Sequence, residues 1–519
     1  MIDKKEIEMN LKKKTKICAT TLGPASNNPK TILELYNSGA NMFRLNFSHG
    51  SYEWHEKIIK DIRSLNIPVA IMMDTKGPEI RTGEIKNGIS VKEGDKIILT
   101  IKDGIYEETN KISVSYKGFI NDVNEGDLIT IDSGKAIAKA IKKQNDDIEF
   151  EIIEGKCKIT TKRHINLKGK PVNLPTLSSE DYKDIDFALS QNVECLALSF
   201  VRNEKDIKEA KDYIKSKGKK CEIYSKIESY ESTMNLESII ENSDGIIFAR
   251  GDLACETSFE DLPILQKKVC SLCSYYNKPI CIATQMLISM KENYRPTRAE
   301  ISDVANSVFD GVDSVMTSDE TAEGKRPVHT INTMSKILKE TEMNLYSNCD
   351  RPDCDDCFGI VHRGRIMRSG FETITFMRQK KIEKTKKKIT LKRKFSCNGL
   401  NMRKNSFVEN MINILPFITD DLDCIITINN FDDGEYMKNV SASRINIPMF
   451  AFCNNESLAN LLNFVWNVRS IYDKRIQNDF FKNIEIIDEF IEENLMKKYL
   501  LIADLTPDGK NTMIQVRTI

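Results

Sequence analysis

Eight short apolar runs set the pattern of the first two thirds of the chain. The segments between them repeat apolar residues at helical spacing, as at 51–64, 204–217 and 263–277. Strands that alternate with helices predict a parallel sheet, and eight such units predict a closed (β/α)8 TIM barrel. The predicted strands are 15–22, 40–46, 69–74, 195–200, 222–226, 245–249, 279–284 and 312–317.

One interval between predicted barrel strands is too long for a single helix. Residues 83–172 carry Gly and Asp turns around short alternating strands such as 96–101 and 127–132. This pattern predicts a small β-barrel lid domain inserted after the third barrel strand. The barrel itself is then expected to comprise residues 1–82 and 173–345.

The pattern changes again at residue 346. Helix 406–417 and strands 424–428, 448–452 and 499–505 predict a separate, C-terminal α/β domain over residues 346–519. A basic insertion is expected within it at 378–405.

Two features of this domain leave alternatives open. Residues 378–394 hold ten Lys and Arg against one Glu. This run suits an acidic partner, anionic lipid or RNA, but without interleaved aromatic residues a solvated segment is favoured and nucleic acid is not expected. Cys349, Cys354 and Cys357, with Cys397, have a spacing found in iron–sulfur loops. Four nearby aspartates favour a linker with incidental cysteines.

Composition narrows the class of protein. The chain has 519 residues, 76 Lys and Arg against 76 Asp and Glu, and 14 scattered cysteines. Its first sixteen residues lack the apolar core of a signal peptide, and no run is long enough to span a membrane. These features predict a cytoplasmic enzyme with reduced thiols and no membrane partner.

Polar side chains follow most of the predicted barrel strands, at the end where barrel chemistry gathers. They are Arg44, Asn46, Ser48, His49, Asp74, Thr75, Glu79, Arg81, Lys226, Glu228, Arg250, Gly251, Asp252, Thr284, Thr317 and Ser318. Glu228 and Asp252 suit a divalent cation such as Mg²⁺ or Mn²⁺, with Lys226 and Arg44 facing a phosphate beside it. Asn46, Ser48 and Asp74 offer oxygen ligands to a monovalent cation.

Each residue also has a simpler interpretation. A Lys-x-Glu pair is usually solvated, Arg-Gly-Asp is usually a turn, and His49 or Thr284 alone suits a cap or a strand end. Because separate strands place polar groups at the same end, a site is favoured over coincidence.

These stretches resemble the pyruvate kinase family. The matching segments, in family order across about 15–345, are LGPAS (22–26), FRLNFSHG (43–50), DTKGPEIRTG (74–83), SKIES (225–229), SDGIIFARGDL (243–253), ATQML (283–287), RPTRAEISDVAN (295–306) and SDETA (318–322). The resemblance implies transfer of a phosphoryl group from phosphoenolpyruvate to ADP, giving pyruvate and ATP in glycolysis. It also implies a homo-oligomer, since the family is usually tetrameric.

The resemblance assigns a role to each site residue. It implies Mg²⁺ on Glu228 and Asp252, and K⁺ on Asn46, Ser48, Asp74 and Thr75. Lys226 and Arg44 would steady the phosphoryl group, and the amides of Gly251 and Asp252 would seat the substrate carboxylate. Thr284 and Ser318 would serve the relay that protonates the enolate. His49, Arg81 and Lys162 or Arg163 would face the nucleotide, and Glu79 matches the K⁺-dependent form.

Several positions depart from the family pattern. Ala254 and Asp319 stand where the family has glycine, Thr317 replaces leucine, and Ser133 interrupts the lid's Asp-Asp-Gly. Asp319 is unfavourable near a phosphate unless it is paired or solvated. In the C-terminal domain, Asp432 and Asp433 would repel a sugar phosphate, so weak or no activation by fructose bisphosphate is expected.

Two other functions remain open at this stage. One is a different phosphoenolpyruvate-handling barrel, such as a carbon–phosphorus mutase or a lyase, which the lid insertion and the DTKGPEIR stretch disfavour. The other is a catalytically weakened homologue that acts as a binding or regulatory protein.

Overall fold

A computed structural model of the chain describes residues 15–106, 110–346 and 422–518, the last with gaps at 430–436, 439–440, 442–446, 464, 478–479, 495, 497 and 505–511. The predicted helix 406–417, the basic insertion and the four cysteines of the proposed metal loop lie outside the described residues. Most of the proposed effector loop, 430–436, does so too.

Eight parallel strands form a closed barrel. They are β1 (Lys16–Thr21), β2 (Met42–Asn46), β3 (Ala70–Asp74), β11 (Cys195–Leu198), β12 (Glu222–Ile227), β13 (Gly245–Ala249), β14 (Ile280–Ala283) and β15 (Ser314–Thr317). Their order around the barrel is β1, β15, β14, β13, β12, β11, β3, β2. Strands β3, β11, β13, β14 and β15 are buried along their whole length, as expected of parallel strands covered on both faces.

Helices follow the barrel strands. They are α1 (Pro29–Asn37), α2 (Tyr52–Ser64), α4 (Ser179–Ser190), α5 (Glu204–Ser216), α6 (Tyr230–Met234), α7 (Leu236–Asn242), α8 (Arg250–Glu256), α9 (Leu262–Tyr275), α10 (Arg298–Phe309), α11 (Asp319–Ala322) and α12 (Pro327–Tyr346). Short 3₁₀ turns span Phe259–Asp261 and Ile288–Lys291. Helix α2 shows the underlying pattern: Ser51 caps its first turn, and His55, Ile58, Ile59 and Ile62 form one buried face.

The segment inserted after β3 folds as a seven-stranded, largely antiparallel sheet. Its strands are β4 (Ile89–Lys92), β5 (Lys96–Thr100), β6 (Lys111–Ser113), β7 (Leu128–Ile131), β8 (Ala136–Gln144), β9 (Asp147–Ile159) and β10 (Ile165–Leu167), with a short helix α3 (Phe119–Asp122). Alternate apolar residues from these strands form its core, including Ile97, Ile129 and Phe150. Strand β10 returns the chain toward the barrel.

The last part of the chain forms a third sheet. Its order is β18 (Val468–Tyr472), β17 (Met449–Cys453), β16 (Cys424–Asn429), β19 (Lys498–Asp504) and β20 (Thr512–Thr518), and only β20 is antiparallel to its neighbour. The helices described here are α13 (Glu456–Leu462) and α14 (Phe480–Glu493). Apolar clusters lie on both faces of the sheet.

The predicted α/β fold with a TIM barrel is confirmed. Each of the eight predicted barrel strands is present, with boundaries that differ by two residues or fewer. By contact clustering, residues 18–296 and 315–331 form one compact unit, and the described parts of 15–17, 297–314 and 332–519 form the other. No helix in the described ranges has the length and apolar character needed to cross a membrane.

Candidate active site

Four neighbouring barrel strands end in polar side chains that contact one another. In barrel order, Lys226 lies near the end of β12, Ser199 follows β11, Asp74 ends β3 and Arg44 lies on β2. Glu228 follows β12 directly. We call these five residues the rim cluster. They are far apart in sequence, and parallel strands bring them to one end of the barrel.

Asp74 is the centre of the rim cluster. Its Oδ2 atom accepts hydrogen bonds from Arg44, at 2.7 Å from Nε and 2.6 Å from a terminal guanidinium nitrogen. Its Oδ1 atom lies 3.0 Å from Ser199 Oγ and 3.3 Å from Lys226 Nζ. Burial alone would raise the pKa of Asp74, but Arg44 and Lys226 outweigh it and hold the pKa below its usual value.

Lys226 keeps its charge in a largely buried position. Its Nζ atom donates to Ser199 Oγ at 2.9 Å and lies 3.0 Å from Glu228 Oε2. Burial would lower the pKa of this ammonium, but the charges of Asp74 and Glu228 raise it above its ordinary value. Lys226 is therefore a permanent cation over the physiological pH range.

Glu228 has one satisfied and one unsatisfied oxygen. Its Oε1 atom accepts from the Phe200 amide at 2.7 Å. Its Oε2 atom is buried, forms the ion pair with Lys226 and, within the described residues, has no further hydrogen-bond donor. Burial raises the pKa of Glu228, Lys226 opposes that rise, and the charges of Asp252 and Asp74 reinforce it.

This donor set fits a hard divalent cation. The buried Oε2 oxygen of Glu228 has the Lys226 ammonium beside it and no other donor among the described residues, and the charge of Asp252 helps to raise the pKa of Glu228. Mg²⁺ often takes only one or two protein carboxylates. In the parts of the chain that the structure describes, no group of three or more His, Cys, Asp or Glu side chains has a metal-binding arrangement. A cation at Glu228 and Asp252 would therefore complete its shell with water or substrate oxygens.

Thr284 and Gly251 form a second constellation, at the ends of β14 and β13. The Gly251 amide, in the first turn of α8, donates to Thr284 Oγ1 at 2.8 Å. Arg250 donates to the Thr284 carbonyl, also at 2.8 Å. Thr284 has a φ of 71°, in the left-handed region that β-branched residues avoid. These bonds hold its hydroxyl against the amide predicted to seat a carboxylate.

Ser318 is oriented by a carboxylate that the sequence analysis left unassigned. The Ser318 amide donates to Glu320 Oε2 at 2.7 Å, and the Leu287 amide donates to Glu320 Oε1 at 3.2 Å. Glu320 is fully buried, and burial raises its pKa. The SDETA stretch contains this residue, but its contact with Leu287, which follows the adjacent strand β14, cannot be identified from sequence.

The four residues assigned to K⁺ lie on two adjacent strand ends. Asn46 and Asp74 are direct partners in the register of β2 and β3. The Asn46 side chain accepts from the Ser48 amide at 2.9 Å, and the Thr75 carbonyl accepts from Ser199 Oγ at 2.7 Å. The four residues thus lie along one part of the rim, where the oxygens of Asn46, Asp74 and Thr75 accept hydrogen bonds from the protein itself.

The residues assigned to the nucleotide are only partly brought together. Arg81 donates to the Lys162 carbonyl at 2.8 Å and forms an ion pair with Glu79. The Lys162 side chain itself is exposed. His49 is exposed at the start of α2, its carbonyl contacts the His55 ring, and its own ring makes no hydrogen bond to Arg81 or Lys162 in the described structure.

Ser199 is the rim residue that the sequence analysis missed. Its hydroxyl contacts Asp74, Thr75 and Lys226 within 3.0 Å. It directly follows the fourth barrel strand, so the strand-end rule that selected the other residues also applies to it. An isolated serine between leucine and phenylalanine carries no chemical signal of its own.

The departures at Asp319 and Thr317 have structural explanations. The Asp319 side chain is 58% exposed and lies 3.2 Å from Lys291, so its charge is both solvated and paired. Thr317 is buried, with its hydroxyl 3.1 Å from that of Thr321. Neither residue contacts the rim cluster.

Comparisons with known proteins identify the family of the barrel. The family model for the pyruvate kinase barrel domain matches residues 12–331. The chain is 38% identical over 356 residues to pyruvate kinase isozyme G, chloroplastic, of Nicotiana tabacum, and 41% identical over 343 residues to pyruvate kinase of Geobacillus stearothermophilus. These matches cover 68% and 64% of the chain.

The fold comparison extends over the whole chain. A crystal structure of a pyruvate kinase from Cryptosporidium parvum superposes with a TM-score of 0.80 at 30% identity, covering 98% of this chain and 97% of that one. The sequence matches span less of the relatives, 63% of the tobacco protein and 58% of the Geobacillus protein. With its barrel matched along residues 12–331, the chain belongs to the pyruvate kinase family.

Proposed function

We propose that this protein is a pyruvate kinase, which transfers the phosphoryl group of phosphoenolpyruvate to ADP and releases pyruvate and ATP, as in glycolysis. The observation that carries the proposal is the rim cluster, in which a buried lysine stands between Asp74 and Glu228. A permanent cation in a site of low dielectric suits a reaction in which negative charge moves between oxygens.

Arg44 and Lys226 would bind the phosphoryl group as it moves. Asp74 and Thr21 hold the Arg44 guanidinium on three of its donor atoms, so its orientation is set before substrate binds. Ser199 and Glu228 likewise fix the position of the Lys226 ammonium before substrate binds. Such preorganisation reduces the reorganisation needed when charge develops.

Thr284 and the first turn of α8 would handle the three-carbon part of the substrate. A substrate carboxylate would take over the Gly251 amide, which Thr284 Oγ1 occupies in this structure, and would also use the amide of Asp252. The released Thr284 hydroxyl, with Ser318, would then belong to the relay that delivers a proton to the enolate carbon.

The cations and the nucleotide complete the proposed site. Glu228 and Asp252 would hold Mg²⁺ or Mn²⁺, and Asn46, Ser48, Asp74 and Thr75 would hold K⁺. When bound, these cations supply positive charge that neutralises phosphate and enolate oxygens. Of the residues proposed for ADP, Arg81 lies just before the inserted segment, Lys162 lies within it, and His49 lies at the start of α2.

We further infer the organisation that the family implies. Residues 83–172 would act as a lid on the barrel of 1–82 and 173–345, with 346–519 as a further domain, in a homo-oligomer of the cytoplasm. Support for the compartment comes from the nine cysteines whose state the structure describes, all of them free thiols.

A lactate dehydrogenase-coupled assay tests the proposed function. With ADP, phosphoenolpyruvate, Mg²⁺ and K⁺ present, we expect NADH oxidation that depends on every component. Separate reactions that lack K⁺ or lack Mg²⁺ test the dependence on each cation. Absence of turnover together with measurable phosphoenolpyruvate binding would favour a binding or regulatory homologue. Turnover without ADP would favour a mutase or lyase reaction.

A further inference from the structure

Helix α8 ends in a buried carboxylate to which the proposed mechanism gives no part. Glu256 is 9% exposed, and each of its side-chain oxygens accepts a hydrogen bond from a different element. We propose that Glu256 is a positioning residue that ties helix α8 both to the end of β12 and to β10, the strand by which the inserted segment returns to the barrel.

The first tie joins α8 to the segment after β12. The Tyr230 amide donates to Glu256 Oε2 at 2.7 Å. Tyr230 follows Glu228 by two residues, and Asp252 precedes Glu256 by one helical turn. This hydrogen bond therefore adds a link beyond the pairing of β12 with β13, between the two segments that carry Glu228 and Asp252.

The second tie joins α8 to the inserted segment. The Asn166 side chain, on β10, donates to Glu256 Oε1 at 3.2 Å, and both residues are buried. The backbone adds a parallel bond, because the Gly169 amide donates to the Glu256 carbonyl at 2.9 Å. Helix α8 carries Gly251 and Asp252 in its first turn, and these bonds join its last residue to the inserted segment.

Burying a carboxylate costs solvation free energy, so a purely structural role does not explain its presence at position 256. Burial raises the pKa of Glu256 to about 7, which reports a marked loss of solvation. The two accepted hydrogen bonds offset part of that cost and also fix direction, which an apolar residue would not do. A role in geometry explains why a polar group stands here.

Hydrogen exchange tests both ties without relying on activity. In Glu256→Ala we expect exchange at the Tyr230 amide to accelerate by about tenfold or more, because this amide loses its side-chain acceptor. The Gly169 amide keeps its backbone acceptor, and we expect it to accelerate because the bond from Asn166 that holds the two elements together is lost. In Asn166→Ala only the Gly169 region should accelerate, and Tyr230 should stay protected. Glu256→Gln should stay close to the wild-type protein, because its amide can accept from Tyr230 and donate to Asn166 after that side chain flips.

Kinetics extend the test and rest on the proposed function. Glu256→Ala should lower kcat by about tenfold to a hundredfold through misplacement of α8, and Glu256→Gln should restore most of it. Asn166→Ala should raise the KM for ADP more than the KM for phosphoenolpyruvate. Glu260→Ala, an exposed position in the 3₁₀ turn after α8, is the matched control and should match the wild-type protein.

The outcomes separate the two proposals. If the wild-type protein shows no kinase activity but exchange changes as expected, the proposed function fails and the positioning role stands. If Asn166→Ala leaves exchange around Gly169 unchanged, or if Glu256→Gln exchanges as fast as Glu256→Ala, the positioning role is wrong. Asn166→Ala keeps the test decisive even if Glu256→Ala does not fold.

Discussion

Lys226 is held as an ammonium in a site that is nearly closed to solvent. Two carboxylates and the Ser199 hydroxyl surround it within 3.3 Å. Buried charges persist only where partners compensate the loss of hydration. The rim cluster supplies those partners before any substrate arrives.

Replacing Lys226 with Met tests its proposed role in phosphoryl transfer. Because the side chain keeps its length and loses its charge, we expect kcat to fall by about a thousandfold, the upper end of what removal of one neutral donor costs. The coupled assay measures this, and circular dichroism checks the fold. Lys217→Met, at an exposed pair with Asp186, should retain full activity. Activity above a tenth of wild type in Lys226→Met would contradict the role.

Ser199 should affect catalysis through its neighbours. Ser199→Ala removes one partner from each of Asp74, Thr75 and Lys226. We therefore expect kcat to fall about tenfold and the K⁺ concentration that gives half-maximal activity to rise. Titrating K⁺ in the coupled assay measures both. The control is Ser243→Ala, a buried serine that precedes β13 and bonds to Ser225. An unchanged K⁺ titration would exclude a link between Ser199 and the cation site.

Two helices that flank the barrel are joined by a buried carboxylate on α4. Tyr52, on α2, donates its hydroxyl proton to Asp184 Oδ1 at 2.6 Å, and Asp184 is fully buried. Its second oxygen, Oδ2, accepts no hydrogen bond in the described structure. Burial raises the pKa of Asp184 to about 6, despite the Tyr52 bond, which lowers it.

Asp184→Asn should therefore alter the pH dependence of stability. The folded protein holds the Asp184 proton more tightly than the unfolded chain, so this contribution is fully present below pH ~4 and is lost as the pH rises through about 6. Asparagine removes the penalty, and we expect the variant to gain about 1–2 kcal/mol relative to wild type between pH 5 and pH 8.

Urea denaturation at pH 5 and pH 8 measures this difference. Asp186→Asn is the control, because Asp186 lies on the same helix but is about half exposed and pairs with Lys217. Its effect should be the same at both pH values. If the Asp184 variant loses stability on going from pH 5 to pH 8 as wild type does, the buried carboxyl is not the cause.

At the scale of the whole molecule, regulation is expected to differ from that of sugar-phosphate-activated relatives. Thr427 lies on β16 of the third sheet, and the two aspartates at 432 and 433 follow it in sequence, outside the described residues. Their charges would repel a phosphate, so we expect fructose bisphosphate to raise activity less than about twofold. Strong activation at micromolar effector in the coupled assay would contradict this.

The third sheet also shows which strands the pattern of apolar residues predicts and which it misses. Strands 424–428, 448–452 and 499–505 were predicted from apolar runs and are confirmed as β16, β17 and β19. Strands β18 and β20 lie at the two edges of the sheet in the part of the chain that the structure describes, and their sequences mix apolar residues with polar ones. Their pattern is weaker, and the sequence analysis did not identify them.

The sequence by itself determined the architecture and most of the candidate chemistry. A parallel strand that is buried on both faces is apolar along its length, so the eight barrel strands can be recognised in the sequence as runs of apolar residues. The polar residues that follow these runs identify the end of the barrel where the site lies. Arg44, Asp74, Lys226 and Glu228 were identified in this way.

Only the tertiary structure decided which of these residues touch. Ser199 and Glu256 lie outside the matching stretches, and Glu320 lies in SDETA without an assigned role. Each of the three has a partner that is 26 to 125 positions away in the chain. Burial and pairing, which set the pKa directions of Asp74 and Lys226, depend on neighbouring strands brought together by barrel closure. Sequence spacing fixes contacts within an element, whereas contacts between elements depend on how those elements pack.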